Sequence, residues 1–395
     1  MSISSQVRQH MQEGGWIRRM FEEGLAMKAK YGEKNVFDLS LGNPVMEPPP
    51  QFQQELLRCV GQPKPGMHRY MPNAGYPETR AAVARHLASV TGLPFKGTDI
   101  LMSSGCAGAI NALLKTICEA GDEVVIFAPY FAEYIYYIDN HGAVPRIVPS
   151  DSRFQPDLPR LAAAINAKTR AVLVNSPNNP TGVVYPEALL AEIGRIIQAK
   201  EKEFSREIFL ISDDVYRRLT FDGLSSPYVF PYHVRSVLAT SHSKDLALPG
   251  ERIGYIAVNP AYEGREELMN GLVFSSRVLG FVNAPALMQQ VIPNLQDVSV
   301  DINEYARKRD FLYENLAAMG YDVVRPSGAF YIFPRCPIPD DVAFIRELQG
   351  HRVMTVPGSG FGAPGYFRIS YCTDDWVIEG ALTGLRAVAR RYGLS

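Results

Sequence analysis

One lysine in this chain stands in unusual chemical company. Ser241, His242, Ser243 and Lys244 are followed closely by Pro249, Gly250, Glu251 and Arg252. A lysine amine forms a Schiff base with an aldehyde, and a second cation nearby favours the neutral amine that attacks. The hydroxyls of Ser241 and Ser243 and the planar fork of Arg252 are phosphate ligands by type, and arginine can grip two oxygens at once. An isolated lysine is most often a solvated surface residue. Here the neighbours point instead to an aldehyde that carries a phosphate and is held at both ends. Pyridoxal 5'-phosphate is such a molecule.

The chemistry of that cofactor needs a protonated ring nitrogen as the sink for electrons released at the substrate Cα, so an anion must sit beside the ring. Asp213 and Asp214, followed by Val215 and Tyr216, close an apolar run upstream of Lys244. On residue type alone either aspartate serves, and a helix cap is the competing use of an aspartate at a strand end. Gly105, Cys106 and Ala107 open a helical pattern after another apolar run, where backbone N–H groups can cradle a phosphate. Cys106 has no adjacent base in the sequence, so a small residue beside a phosphate is a simpler account of it than a nucleophile. An amino acid substrate would further require a guanidinium to fix its α-carboxylate bidentately.

The elements that must position these residues are legible in the apolar pattern. Short continuous apolar runs at 100–102, 123–127, 171–174, 208–211, 236–239 and 254–258 alternate with helical patterns. Continuous rather than alternating apolarity predicts strands buried on both faces of a mainly parallel α/β sheet. The candidate residues follow these runs, and ligands of open α/β sheets bind beyond the carboxyl ends of the strands. From about residue 301 the pattern changes to a helix over 302–319, strands at 321–324 and 329–333, a helix over 341–348 and a strand at 367–371. These predict a smaller α+β unit. Pro48, Pro49 and Pro50 mark the passage from an N-terminal arm, so the expected division is a large domain over 48–300 and a small one built from 1–47 and 301–395.

Composition narrows the class further. The 395 residues are 46% hydrophobic and 21% charged, enough for two cores. A net charge of -1 gives no overall bias toward nucleic acid or an anionic membrane. The cysteines, Cys59, Cys106, Cys118, Cys336 and Cys372, are odd in number and form no C-x-x-C pair, which argues against a disulfide framework or a zinc site. With no signal-like or membrane-length apolar run, the cytoplasm is the expected location.

Taken in order from about residue 38 to 372, these segments resemble the motifs of the class I/II aminotransferases, fold-type-I enzymes that use pyridoxal phosphate. The resemblance implies a large domain with a mainly parallel seven-stranded sheet covered by helices, and a smaller α+β domain. It implies Lys244 as the lysine that binds the cofactor covalently, Asp213 as partner of the ring nitrogen, and Tyr216 and Asn179 as donors to the phenolic oxygen. Asn179 lies in a run, 175–182, that is similar to the family's N-P-x-G loop. Phe131, after Pro129 and Tyr130, is implied as the ring-stacking aromatic. Gly105, Cys106, Ala107, Ser241, Ser243 and Arg252 are implied at the phosphate, where Ala107 departs from the hydroxyl or lysine of many relatives and leaves only backbone contact. Arg368, followed by Ile369 and Ser370, resembles the family's carboxylate clamp, and Gly42, before Asn43 and Pro44, its close-approach glycine. Tyr70 and Gly75 resemble an element that reaches the phosphate of a neighbouring subunit, which implies a homodimer. Arg277 lies near where dicarboxylate-specific relatives place a cross-subunit arginine; an exposed helix-end arginine is the alternative.

The implied activity is transfer of an amino group from an L-amino acid to a 2-oxo acid by a ping-pong mechanism, with aspartate or glutamate accepted if Arg277 reads a distal carboxylate. A carbon-sulfur β-lyase shares Lys244, Asp213, Tyr216 and Arg368 and is the rival reading. A ligand-sensing domain without catalysis is more remote, since the sequence carries no DNA-binding module or basic stretch. The partners expected are amino acid and oxo acid substrates, with neither nucleic acid nor membrane.

Overall fold

The computed structural model describes residues 2–13 and 15–394. Two helices, Ser5–Glu13 and Trp16–Tyr31, precede a short strand β1 (Phe37–Asp38). The central sheet contains β2 (Ile100–Ser104), β3 (Glu123–Ala128), β4 (Val144–Pro149), β5 (Thr169–Asn175), β6 (Phe209–Asp213), β7 (Ser236–Ser241) and β8 (Ile253–Val258). Their spatial order is β2-β8-β7-β6-β5-β3-β4. The neighbouring pairs are parallel except those of β8, which runs antiparallel to both β2 and β7.

Six of the seven strands coincide with the apolar runs, and the reason for their continuity is visible in the packing. Along β3 the side chains of Val125 and Phe127 join the core on one face, while Val124 and Ile126 join the core on the other, against the helix Gly105–Ile117. Both faces are covered, so each residue from Val124 to Ala128 is apolar. β4 escaped the sequence pattern because it is an edge strand with one neighbour. Its side chains are mostly exposed or half-buried, and Pro145 and Pro149, which no central strand tolerates, sit on it at no cost.

The C-terminal part contributes β9 (Tyr331–Ile332), β10 (Val353–Met354), β11 (Val356–Pro357) and β12 (Phe367–Ser370), with helices Ile302–Ala318, Asp341–Gly350 and Asp375–Arg391. β12 pairs antiparallel with β9 and β11, while β1 pairs parallel with β10, tying residues 37–38 to 353–354. The expected strand at 321–324 is absent. Tyr321 there is fixed by its side chain, whose hydroxyl donates to Leu385 O at 3.0 Å while its ring packs on Phe344 and Phe367. An apolar stretch anchored by side chains needs no ladder. No described helix is long and apolar enough to cross a membrane.

Candidate active site

The carboxyl ends of β2, β3, β5, β6 and β7 open on one edge of the sheet, and the reversed β8 begins there. This is why Arg252, immediately before β8, reaches the same edge as residues that follow the other strands. Ser104 is in register with Ile253, Ser241 with Gly254 and Asn175 with Asp213. A cavity of about 260 Å³ lies at this edge. Its lining includes Cys106, Ala107, Phe131, Asn179, Asp213, Tyr216, Ser241, Ser243, Lys244 and Arg252 from the sheet side, and Gly42 and Arg368 from the segments at the two ends of the chain.

Three sequence candidates stand elsewhere. Gly105 lies just behind the lining with φ +69°, and a Cβ there would come within 2.7 Å of the Arg252 guanidinium. Only glycine lets the helix begin so close to that cation. Tyr70 is 92% exposed. Arg277 is exposed in the last turn of the helix Arg265–Val278, with its guanidinium over the Phe274 ring. Neither meets the cavity of its own chain.

At one end of the cavity, Ser241 Oγ donates to Ser243 Oγ at 3.0 Å, beside Arg252 and the N-terminus of the helix Gly105–Ile117. Hydroxyls, a guanidinium and unpaired helix N–H groups fit a phosphate. The Cys106 thiol is turned away from this group, toward Asp213, so a phosphate meets position 106 through backbone alone.

Asp213 also lines the cavity and is 6% exposed. Tyr134 Oη donates to its Oδ2 at 2.6 Å and Cys106 Sγ to its Oδ1 at 3.4 Å. Burial raises its proton affinity, and these donors with the Val215 N–H oppose the rise. Asp214, the alternative on sequence, points away and pairs with Arg217. Burial pushes its pKa up to about 6 against the pull of Arg217. The alternation of side chains along a strand end thus separates two adjacent aspartates, and the one facing the cavity fits a pyridinium.

Lys244 Nζ donates to Gly42 O at 2.7 Å. Its pKa is lowered from 10.5 to about 8, chiefly because burial penalises the ammonium, with Arg368 and Arg252 adding repulsion. A cation disfavoured in the fold costs stability fully below the folded pKa, and the cost fades as pH rises toward the unfolded value. For the apoprotein we therefore expect Lys244→Met to be stabilising at pH 7 by roughly 3 kcal/mol, each pKa unit corresponding to about 1.4 kcal/mol. The gain should shrink between pH 8 and 10.5; a gain independent of pH in parallel thermal melts would refute the assignment.

Arg368 is 2% exposed and its guanidinium lies between the rings of Tyr331 and Phe361. Nη1 donates to Asn179 Oδ1 at 3.0 Å and Nη2 to Ser40 O at 2.6 Å, while Nε has no partner. A buried guanidinium with an orphaned N–H at a cavity fits an incoming carboxylate. Gly42 is required by packing, because a Cβ there would collide with Tyr331 Oη.

Sequence reasoning missed Tyr331, Asn175, Tyr137 and Ile17, all of which line the cavity. Tyr331 Oη lies 3.0 Å from Tyr216 Oη. Asn175 bonds both Asp213 O and Asn179 N, at 3.0 and 2.8 Å, and so spaces two site residues. Asn175 lies within the 175–182 run, whereas Tyr331 sits in an apolar strand-like stretch that signals only core.

The chain is similar to known proteins over most of its length. The chain is 33% identical over 367 residues to the aspartate/prephenate aminotransferase of Thermus thermophilus, covering 89% of this chain and 91% of that one. It is 32% identical over 366 residues to a probable aspartate/prephenate aminotransferase of Aquifex aeolicus, covering 88% and 89%. Among solved structures it resembles an amino transferase from Eubacterium rectale, with a TM-score of 0.95, 36% identity and 100% of both chains covered. It also resembles the aspartate aminotransferase of Thermus thermophilus with maleate, at TM-score 0.88 and 27% identity over 98% and 100% of the two chains. The aminotransferase class I and II family model matches residues 34–385, and with it the chain belongs to that family as a pyridoxal-phosphate-dependent aminotransferase.

Proposed function

We propose that this enzyme transaminates a dicarboxylic L-amino acid, aspartate or glutamate, against a 2-oxo acid, as a cytoplasmic homodimer. The observation that carries the amino acid part is Arg368, buried beside Lys244 with its Nε unpaired. The dicarboxylate part is supported by the relatives that act on aspartate and by the maleate-bound neighbour. Among the described residues, the cations lining the cavity are Lys244, Arg252 and Arg368. A distal carboxylate therefore needs a further cation, and exposed Arg277 of a second subunit is our candidate. Tyr70 is assigned the parallel role at the partner's phosphate. The five free cysteines suit a reducing compartment.

The bound cofactor supplies an electrophilic carbon and an electron sink. The chain's residues do the rest. Arg368, oriented by Asn179 and Ser40 O, fixes the α-carboxylate and so places the Cα–H toward Lys244. Lys244 Nζ, its pKa brought near neutrality, takes that proton and returns it as general acid-base. Tyr216 and Asn179 would donate to the phenolic oxygen, Asp213 would hold the ring-nitrogen proton, and Phe131 would cover the ring. Ser241, Ser243, Arg252 and the backbone of Gly105, Cys106 and Ala107 would hold the phosphate. Ile17 and Tyr137 help exclude water. We assign 48–300 to a large domain and 1–47 with 301–395 to a small one that closes over substrate.

The test is a stopped-flow absorbance panel of amino acids, with and without a 2-oxo acid. Conversion of the visible cofactor band by aspartate and glutamate, and parallel double-reciprocal lines with an oxo acid, are expected. Response only to apolar or aromatic amino acids would overturn the dicarboxylate reading, and pyruvate with ammonia released without an acceptor would indicate a lyase.

A further inference from the structure

Asp213 presents a physical problem of its own. A carboxylate this deeply buried prefers to be protonated, and a protonated Asp213 cannot hold a pyridinium. The titratable groups around it are Cys106 on the helix after β2, Tyr134 and Tyr137 on the helix after β3, and Asp214 and Tyr216 on its own loop. Among the described residues none of the cavity's cations is bonded to Asp213: Lys244, Arg252 and Arg368 donate to other partners. The charge must therefore be held by neutral donors, and two side chains supply them, one on each oxygen: Tyr134 on Oδ2 and Cys106 on Oδ1.

Both donors are fixed. Tyr134 is 1% exposed and Cys106 8%, and burial raises the proton affinity of each well above its ordinary value. Burial favours the neutral, proton-bearing form of each, and the geometry directs that proton at the carboxylate. They approach from two different helices and thereby set the plane of the carboxylate as well as its charge.

We propose that Tyr134 and Cys106 are positioning residues that keep Asp213 ionised and oriented for the cofactor's ring nitrogen. This rests on the reading of Asp213 as that nitrogen's partner. It gives Cys106 a role that neither phosphate contact nor small size provides.

The test is the holoenzyme loaded with cofactor labelled with 15N in the ring, its chemical shift followed against pH in wild type, Tyr134→Phe, Cys106→Ala and Cys106→Ser. In wild type the nitrogen should stay protonated through neutral pH. Loss of the Tyr134 donor makes the carboxylate more basic, so in Tyr134→Phe the shared proton should pass from the ring nitrogen to Asp213: the labelled nitrogen's shift should move toward the unprotonated value at neutral pH, and kcat should fall about tenfold with KM nearly unchanged. Cys106→Ala should give a smaller displacement in the same direction, which Cys106→Ser restores. Profiles superimposable on wild type in both Tyr134→Phe and Cys106→Ala would overturn the proposal. If Tyr134→Phe does not fold, the Ala and Ser pair at Cys106 decides alone. A wild-type protein whose labelled nitrogen is unprotonated would instead sink the assignment of Asp213 itself.

Discussion

Lys244→Ala lowers kcat by about 10⁴ or more and removes the visible absorbance of the lysine-linked cofactor, while the protein still folds and retains the cofactor loosely. General acid-base catalysis alone contributes roughly 10²–10⁴, and the same amine also carries the covalent link. Both roles depend on one position: Nζ sits 2.7 Å from Gly42 O, in a cavity that brings its pKa to about 8. Alanine removes the amine without disturbing the buried neighbours Ser243 and Asp245. Added small primary amines should restore part of the rate, since what is missing is a base in a preformed space. Residual turnover within about tenfold of wild type, measured on protein freed of wild-type contamination, would remove Lys244 from both roles; a loss that small is one ordinary hydrogen bond rather than the acid-base group.

The second large effect is expected at Arg368. Truncating one partner of a buried, hydrogen-bonded charge pair costs about 2–5 kcal/mol, so Arg368→Lys should lower kcat/KM for α-amino acids by roughly 10²–10³, chiefly through KM. Lysine keeps the charge but loses the planar fork, and with it the simultaneous contacts to Asn179, Ser40 and a carboxylate. The cofactor spectrum should be little changed, because lysine keeps the positive charge that acts on Lys244. A control separates binding from general damage: amines lacking an α-carboxylate should react equally, if slowly, with variant and wild type. If the variant lost both substrates alike, Arg368 would be a packing residue between Tyr331 and Phe361 and the carboxylate would be read elsewhere.

The structure differs from the sequence pattern in places with a common physical origin. β4 was illegible because an edge strand need not be apolar, and the stretch at 321–324 misled because apolar residues can be anchored by side chains rather than by a ladder. The choice between Asp213 and Asp214 was open in the sequence, where the two are neighbours of one type. In the fold one turns to the cavity and takes Tyr134 and Cys106, and the other turns away to Arg217. Gly42 carried its signal as a motif, yet the Cβ that glycine avoids would strike Tyr331, a residue from the far end of the chain.

By itself the sequence determined the chemistry that is encoded locally: a lysine among phosphate ligands, strands continuous enough to be buried on both faces, and loops placed after them. These are properties of neighbouring residues, and periodicity and spacing report them directly. Only the tertiary structure decided what lies between elements remote in the chain. The reversal of β8 brings Arg252 to the cofactor edge, Arg368 meets Asn179 and Ser40, Tyr331 meets Tyr216, and two helices converge on Asp213. Such pairings depend on packing that closes loops of hundreds of residues, and no local pattern of side chains carries that information.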